Sequence, residues 1–529
     1  MTEEVNKPTL PRIGLIIDSL FQPRWVRRCL EKILAAKVAE FVVVVKLPPA
    51  KQSEAPLLYK LYNRIDRRFF EATPDALEPE SVDDLVDDLP SVSAGELEEI
   101  RSLNLDVLLS FGPTDGNVKF ADVAKYGVWF YAFGKNENSL PGLREVVTRD
   151  PVMVSSLRTL TGKPATEQII YQSTSPALTR FSVRLNNNYC YWKSAAFVAR
   201  TLADLRENRD VLALDVRQHS ANGSPKHPTN ATMAGLFLKL SSRAASRALE
   251  KFSSFEQWVL AYRIYKDDFK YLIPPVDRFW ADPFSIKVGE QHYIFFEEYL
   301  NSAGRAHISV IEVDQSGIVS GPAEVLKLDC HLSYPFVFEW RGDYYMVPET
   351  GDKNQVGLYR SATFPFDWQL EQVLLEAKCP LDATLVEVDG TWWMFVNIQE
   401  EGVLVNWDEL HLYYADNPRG PWKPHARNPV ISDVRRARPA GRLFWSNDVL
   451  HRPGQDSSLR YGYATTISRI DNLTPTEYRE TEVAKILPDW DKDVLGVHTL
   501  NKSDEITVID CFMKRRRFRA RTPRPPQGI

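Results

Sequence analysis

The sequence predicts two domains of different class, an α/β domain with a mostly parallel sheet and then an all-β five-bladed propeller. Three observations predict this. Short apolar runs alternate with helix-spaced segments over the first two hundred residues. A turn-rich stretch, HSANGSPKHPTN from His219, then interrupts the chain. Beyond it one pattern recurs about every fifty residues, an apolar run, a Gly-containing turn and an aromatic strand, which is how propeller blades read.

Residues 1–215 hold the α/β elements. RIGLIIDS reads as a buried strand, and PRWVRRCLEKILAAKV as a helix with Pro23 near its start. FVVVVKL is β-branched throughout, as a strand covered on both faces would be. LDVLLSFGP and YGVWFYAFG read as two further strands, and Asn187 to Arg206 as one long helix. Ligands of such sheets sit at the C-terminal strand ends. Asp18, Ser19, Ser110, Gly112, Lys135 and Asn136 would line a nucleotide or nucleotide-sugar pocket there, or the domain is a scaffold without chemistry.

Residues 216–265 read as a connector. Helical spacing runs through MAGLFLKLSSRAASRALEKFSSFEQWVLAYRI, with Lys239, Arg243, Arg247 and Lys251 every fourth residue. Such a stripe suits an anionic membrane surface or a solvated helix that docks one domain on another. The basic tail, residues 514–529, has the same two uses, lipid contact or a disordered solubilising end.

Residues 266–513 are the propeller, with repeats at Arg278, Tyr334, Asp382, Ala440 and Val497. Asp282, Tyr334, Asp382, Ala440 and Val497 share one register. Fifteen residues further on stand Glu297, Glu349, Asn397, Gln455 and Phe512. First strands line the propeller channel, so acids of different blades should converge on one axis.

A net charge of −5 gives no sign of nucleic acid binding. Five scattered cysteines without a CxxC pair point to a reducing compartment. No secretory signal of the usual kind precedes the first strand, and no apolar run is long enough to span a bilayer. The expectation is a cytoplasmic protein, peripheral at the inner face of the membrane if the basic segments meet lipid. No metal-ligand motif stands out and no cofactor is expected, a nucleotide sugar entering only as substrate.

Glycosyl chemistry needs one carboxylate to take a proton or attack, and usually an acid to help the leaving group. Asp282, Glu349 and Asp382 are the catalytic candidates. Trp280 is the candidate for sugar stacking, and Glu297, His451, Arg452, Gln455, Asp456 and His498 are candidates for substrate binding. A lone Asp in a propeller also commonly caps a turn.

Trp280-Ala281-Asp282-Pro283 resembles the first-blade Asp-Pro of the five-bladed glycosidases of glycoside hydrolase family 43. The resemblance implies Asp282 as base, Asp382 as second carboxylate and Glu349 as acid. That family runs Asp, Asp, Glu along the chain, whereas this sequence runs Asp, Glu, Asp. Over residues 265–513 the strings FWADPF, SYPFVFEW, YYMVPET, LDATLVE, WWMFVN, HRPGQD and GVHTLN are similar to the propeller module of plant glucosamine inositolphosphorylceramide transferase and its bacterial relatives. Residues 12–200 resemble the formyltransferase fold through the order of strands. Where that family places an Asn and a His, this chain has Trp129-Phe130-Tyr131-Ala132-Phe133-Gly134, and no histidine precedes His219, so formyl transfer by that machinery is not expected.

These readings imply a carbohydrate-active enzyme, foremost a glycosyltransferase of cell-surface glycan or glycolipid synthesis. An intracellular glycoside hydrolase and a non-catalytic glycan-binding protein stand as alternatives. The expected partner is a carbohydrate or glycolipid.

Overall fold

The computed structural model describes all residues except 1–8, 49–53, 112–113, 135–139, 163–164, 208, 210–214, 219–226, 315, 401–406, 504, 517–523 and 527–529. The chain divides into two compact units, Met1–Ser242 and, apart from residues 402–404, Arg243–Ile529.

The first unit is built on an eight-stranded sheet. In chain order its elements are β1 (Arg12–Ile17), α1 (Arg24–Ala36), β2 (Glu40–Lys46), α2 (Leu57–Phe69), β3 (Ser91–Ser93), β4 (Val107–Ser110), β5 (Val128–Phe133), β6 (Val152–Thr161), β7 (Thr166–Pro176), α3 (Val183–Ser194), α4 (Phe197–Arg206), β8 (Asp215–Gln218) and α5 (Asn230–Ser253). The strand order is β8-β7-β6-β5-β4-β1-β2-β3. The five strands from β5 to β3 are parallel, and β6, β7 and β8 extend the sheet antiparallel. The sheet is therefore mixed, with its parallel part where the apolar runs predicted it. Alternate residues of β1 serve opposite layers: Ile13, Leu15 and Ile17 pack with Cys29, Leu30 and Ile33 of α1, while Ile16 packs with Val43 and Val45 on the other face.

The expected single helix from Asn187 to Arg206 is two, α3 and α4. The first starts earlier because Ser182 caps it, its Oγ accepting from the Leu185 N–H at 2.9 Å. Ser194 donates back to the Cys190 carbonyl where α3 ends. Of the residues expected around a nucleotide, Gly112, Lys135 and Asn136 lie outside the described set. Ser110 is buried and bonded to Asn117, and Asp18 accepts from Gln22. Beside them the rings of Trp25, Phe111, Tyr131, Phe133 and Tyr191 pack together, with Trp25 and Tyr131 centred 5.0 Å apart. The aromatic segment Trp129–Phe133 thus fills space with rings.

The connector ends earlier than residue 265. Ser254–Ile264 is a strand, paired antiparallel along its whole length with Ile506–Arg516. Its sequence, SFEQWVLAYRI, buries both faces, so a continuous apolar run read as helix where it is a central strand. The basic stripe of α5 is also broken. Lys239 is exposed, but Arg243 is buried, and the side chains of Arg247 and Lys251 lie outside the described set. Of the tail, Lys514–Arg516 belong to the closing strand, and Arg524 is held by Asp491 and Tyr271.

The second unit contains five antiparallel sheets, one for each blade. Blades one to three start with Arg278–Val288, Ser333–Trp340 and Leu381–Val388. Each first strand carries a bulge at the same place, and Asp282, Tyr334 and Asp382 sit there with φ of 51°, 46° and 55°. Asp tolerates this left-handed region better than other side chains. Tyr334 is held in it by bonds of its hydroxyl to Thr384 at 2.8 Å and to the Gly441 N–H at 2.7 Å.

The first strand of blade four is interrupted. Phe444–Ser446 pairs with Val449–His451, whereas Arg438–Gly441 runs beside Pro453–Gln455 with a single bridge, because Pro439 has no N–H to give. A Cβ on Gly441 would lie 2.1 Å from the Leu500 carbonyl oxygen. The fifth sheet joins both ends of the unit: Lys270–Leu272 and Ser254–Ile264 from the start, with Val494–Gly496, Leu500–Lys502 and Ile506–Arg516 from the end.

Glu298 ties blade one together, accepting from Arg278, Trp280 and Ser309 at 2.9, 3.2 and 2.7 Å and facing His307. Burial alone would raise its pKa, but these donors together hold it at about 2. A depressed carboxyl stabilises the fold above its unfolded pKa and loses that contribution as pH falls. Glu298→Gln should therefore lower stability at pH 7 by about 2 kcal/mol, allowing for solvent screening, with the difference vanishing between about pH 4.5 and 2 in urea titrations. Gly441→Ala should cost about 2–4 kcal/mol, read the same way.

Candidate active site

The three bulges and the blade-four segment turn side chains toward the propeller axis, where a cavity of about 390 Å³ opens. Asp282, Glu297, His331, Ser333, Glu349, Arg438, Tyr461 and His498 supply its polar lining. Trp258, Phe279, Tyr299 and Trp407 add aromatic surface, with Phe279 and Tyr299 stacked at 4.7 Å. Aromatic faces beside a few convergent polar groups are what a small-molecule site requires.

Asp282 lies at the seam between blades one and five. Its Oδ1 accepts from Thr499 at 2.8 Å and lies 3.3 Å from His498 Nε2. The other imidazole nitrogen is 2.7 Å from Asp510 Oδ2. Asp510 also receives the backbone N–H groups of Asp282, His498 and Thr499. Burial raises the Asp282 pKa to about 7, with Glu297 and Asp382 adding to the rise and His498 opposing it. Burial alone would lower His498, but Asp510 and Asp282 outweigh it and hold the imidazole at about 9. Asp282 is therefore poised near neutrality beside a cationic ring.

Glu349 lines the same cavity, and burial with the neighbouring Asp382 pushes its carboxyl well above the ordinary range. Arg438 Nη2 stands 3.3 Å from Glu349 and Nε 2.5 Å from Asp382. Asp382 also accepts from Gln455 at 2.9 Å. It lies behind this arginine rather than on the cavity wall. The structure thus places Asp282 and Glu349 on one cavity and gives Asp382 a supporting position.

The other candidates divide. Glu297 and His498 line the cavity, and His331 Nε2 approaches Glu297 at 3.3 Å. Gln455 acts through Asp382. Trp280 does not reach the cavity. It packs on Phe296 in the core, and strand alternation gives its place to Phe279 and Ala281. Asp282 shares Trp280's parity, and its left-handed bulge turns it back toward the cavity. Arg452 is a buried bidentate partner of Glu480 at 2.7 and 2.8 Å. Asp456 pairs with Lys485 at 3.0 Å, and the His451 ring stacks on Phe444. These three hold blade four and stand outside the cavity lining.

Sequence reasoning missed Arg438, Tyr461, Thr499 and Asp510. Arg438 lies where the blade pattern is broken. Asp510 is two positions before Phe512, in the closing strand, and only the closed ring brings it to Asp282. Asp282, His498 and Asp510 also form a compact group with a metal-ligand donor set. In it the Asp282 and Asp510 carboxylates both face the imidazole.

Residues 273–502 match the family model described as glucosamine inositolphosphorylceramide transferase 1, N-terminal. The protein of that name from Oryza sativa subsp. japonica is 39% identical over 209 residues, which cover 39% of this chain and 28% of that protein. The Arabidopsis thaliana protein is 36% identical over 208 residues, covering 39% and 27%. The chain thus spans little more than a quarter of the length of the curated relatives it matches. Among solved structures, a family 117 glycoside hydrolase from Zobellia galactanivorans aligns at a TM-score of 0.32 and 13% identity, covering 49% of this chain and 90% of that one. The β-xylosidase RS223 aligns at 0.34 and 14%, covering 44% and 92%. The propeller assignment itself rests on the five sheets.

Arg438 is the cation that two buried carboxyl groups share. Arg438→Leu should cost about 3–5 kcal/mol of stability, because it leaves Asp382 and Glu349 without it. Tyr461→Phe, which keeps the ring under the Arg438 guanidinium (5.2 Å), should cost under about 1 kcal/mol in the same denaturation assay.

Proposed function

We propose that the propeller cavity binds a sugar and that the chain is a glycosyltransferase acting on a glycolipid. The observation that carries the reading is one cavity faced by two differently tuned carboxyl groups, Asp282 near neutrality and Glu349 pushed by burial and Asp382 well above the ordinary carboxyl range. Pairs of titratable groups pushed apart by their surroundings mark acid and base assignments. The name shared by the plant relatives supports an aminosugar as the transferred group and an inositol-phosphate sphingolipid as acceptor. A nucleotide sugar is the donor class that suits such a transfer.

In this reading Asp282 takes the proton of the acceptor hydroxyl as its oxygen bonds to the anomeric carbon. The bond from that carbon to the leaving group breaks, the electron pair departs with the leaving oxygen, and Glu349 supplies a proton to it. His498, held by Asp510, orients Asp282 and limits its rise in pKa. Phe279 and Tyr299 offer a face for the sugar ring.

A base works only when deprotonated, so kcat/KM with a sugar donor and an inositol-phosphate lipid should rise with pH through about 7. Asp282→Asn should lower it by roughly 10²–10⁴-fold and abolish that limb. Release of aryl from aryl glycosides in water alone would instead make the chain a hydrolase. Sugar binding without turnover, unchanged in Asp282→Asn, would make it a non-catalytic glycan-binding protein.

A further inference from the structure

α2 shows an apolar stripe to solvent. Leu57, Leu61, Ile65 and Phe69 follow one another every fourth residue and are 73, 43, 38 and 74% exposed. The helix is nonetheless docked on the first unit by another face. Tyr62 is buried against Phe237, its hydroxyl donates to the Phe181 carbonyl, and Asp66 accepts from Ser182 and from the Arg184 N–H. The exposed stripe is thus additional to the packing that holds α2 in place. Exposed leucines and phenylalanines in series on a fixed helix mark a surface that meets something apolar.

The charges of α2 say what that is. Lys60, Arg64, Arg67 and Arg68 are all exposed, and among the described residues none of them pairs with a carboxylate. The single acid of the helix, Asp66, is buried. At 100° per residue the basic side chains centre on an arc beside the stripe and away from the Tyr62 and Asp66 face. Every charge that α2 presents to solvent is therefore positive, next to four large apolar side chains. This pairing fits the interface of a bilayer with anionic headgroups, where apolar groups enter the acyl boundary and cations stay among phosphates. No helix among the described residues is long and apolar enough to cross a membrane, so contact of this kind lies on the surface.

We infer that α2 is an interfacial docking helix that seats the first unit on an anionic lipid surface. The inference stands on the first unit alone and holds whether or not the propeller cavity acts on a sugar. The helix concerned differs from the one whose basic stripe the sequence displays, since Arg243 of α5 is buried.

The test is co-sedimentation of the full chain with vesicles of phosphatidylcholine alone and with phosphatidylserine added to about a third. Binding is expected to the anionic vesicles and to weaken as salt rises. Leu57→Ser with Phe69→Ser should weaken it by roughly tenfold or more. Lys60→Glu with Arg64→Glu should weaken it by at least about twentyfold, from about fivefold for each lost cation. Because all four side chains are exposed, each variant should keep the wild-type melting temperature. A polarity-sensitive dye on Leu61→Cys should shift to the blue with anionic vesicles, which reads the helix even if a double variant fails to fold. Wild-type chain left in the supernatant, or variants that bind as tightly as wild type, would overturn the inference. So would a dimer that Leu57→Ser with Phe69→Ser converts to monomer, since the stripe would then cover a second copy of the chain.

Discussion

The pairing of Ser254–Ile264 with Ile506–Arg516 is the constraint on which the propeller depends. Four twisted sheets around an axis leave one gap, and the fifth sheet fills it through eleven residue pairs between these two strands from opposite ends of the unit. Closure also completes the polar lining of the candidate site. Asp282 comes from blade one, and His498, Thr499 and Asp510 from the sheet that closes the ring. Residues more than two hundred apart thereby share hydrogen bonds of about 3 Å. Without that seam Asp282 would keep its bulge but lose every polar partner described for it.

The two aspartates at equivalent places show how surroundings assign roles. Both stand at the bulge of a first strand in the left-handed region. Asp382 meets Arg438 and Gln455, which occupy its oxygens, and it is withdrawn behind the arginine. Asp282 meets a hydroxyl and an imidazole that Asp510 also engages, and it keeps a face on the cavity. A buried carboxylate satisfied by a guanidinium is an anchor, whereas one beside a shared imidazole can exchange its proton. The repeat supplied the same backbone device three times, and the partners divided the labour.

Much of this was legible in the sequence, for definable reasons. The fifty-residue repeat and the shared register of Asp282, Tyr334 and Asp382 announced both the blades and the convergence, because a propeller converts periodicity into rotation about an axis. The second register was legible too, since Ala281, Ser333 and Leu381 pair with Glu297, Glu349 and Asn397. Trp280 was misplaced because alternation along a strand fails at a bulge, and no residue type announces one when Asp takes the place of Gly. Arg452 was misread because a buried arginine paired with Glu480 leaves the same trace in a sequence as one awaiting a phosphate. Arg438 was missed because it stands two residues before the repeat start read at Ala440, outside both registers. The strand Ser254–Ile264 was absorbed into the preceding helix, since strands buried on both faces carry no alternation.

The ring closure also bears on which part of this chain is a self-sufficient piece. The match to the family model spans residues 273–502, yet the fifth sheet draws strands from before and after that stretch. Cut at those limits, the polypeptide would keep four blades and expose a long raw edge of unpaired amides along a hydrophobic wedge, an invitation to aggregate. The smallest portion with a complete circuit of sheets runs from Ser254 to Arg516, so shared ancestry and physical autonomy have different borders here.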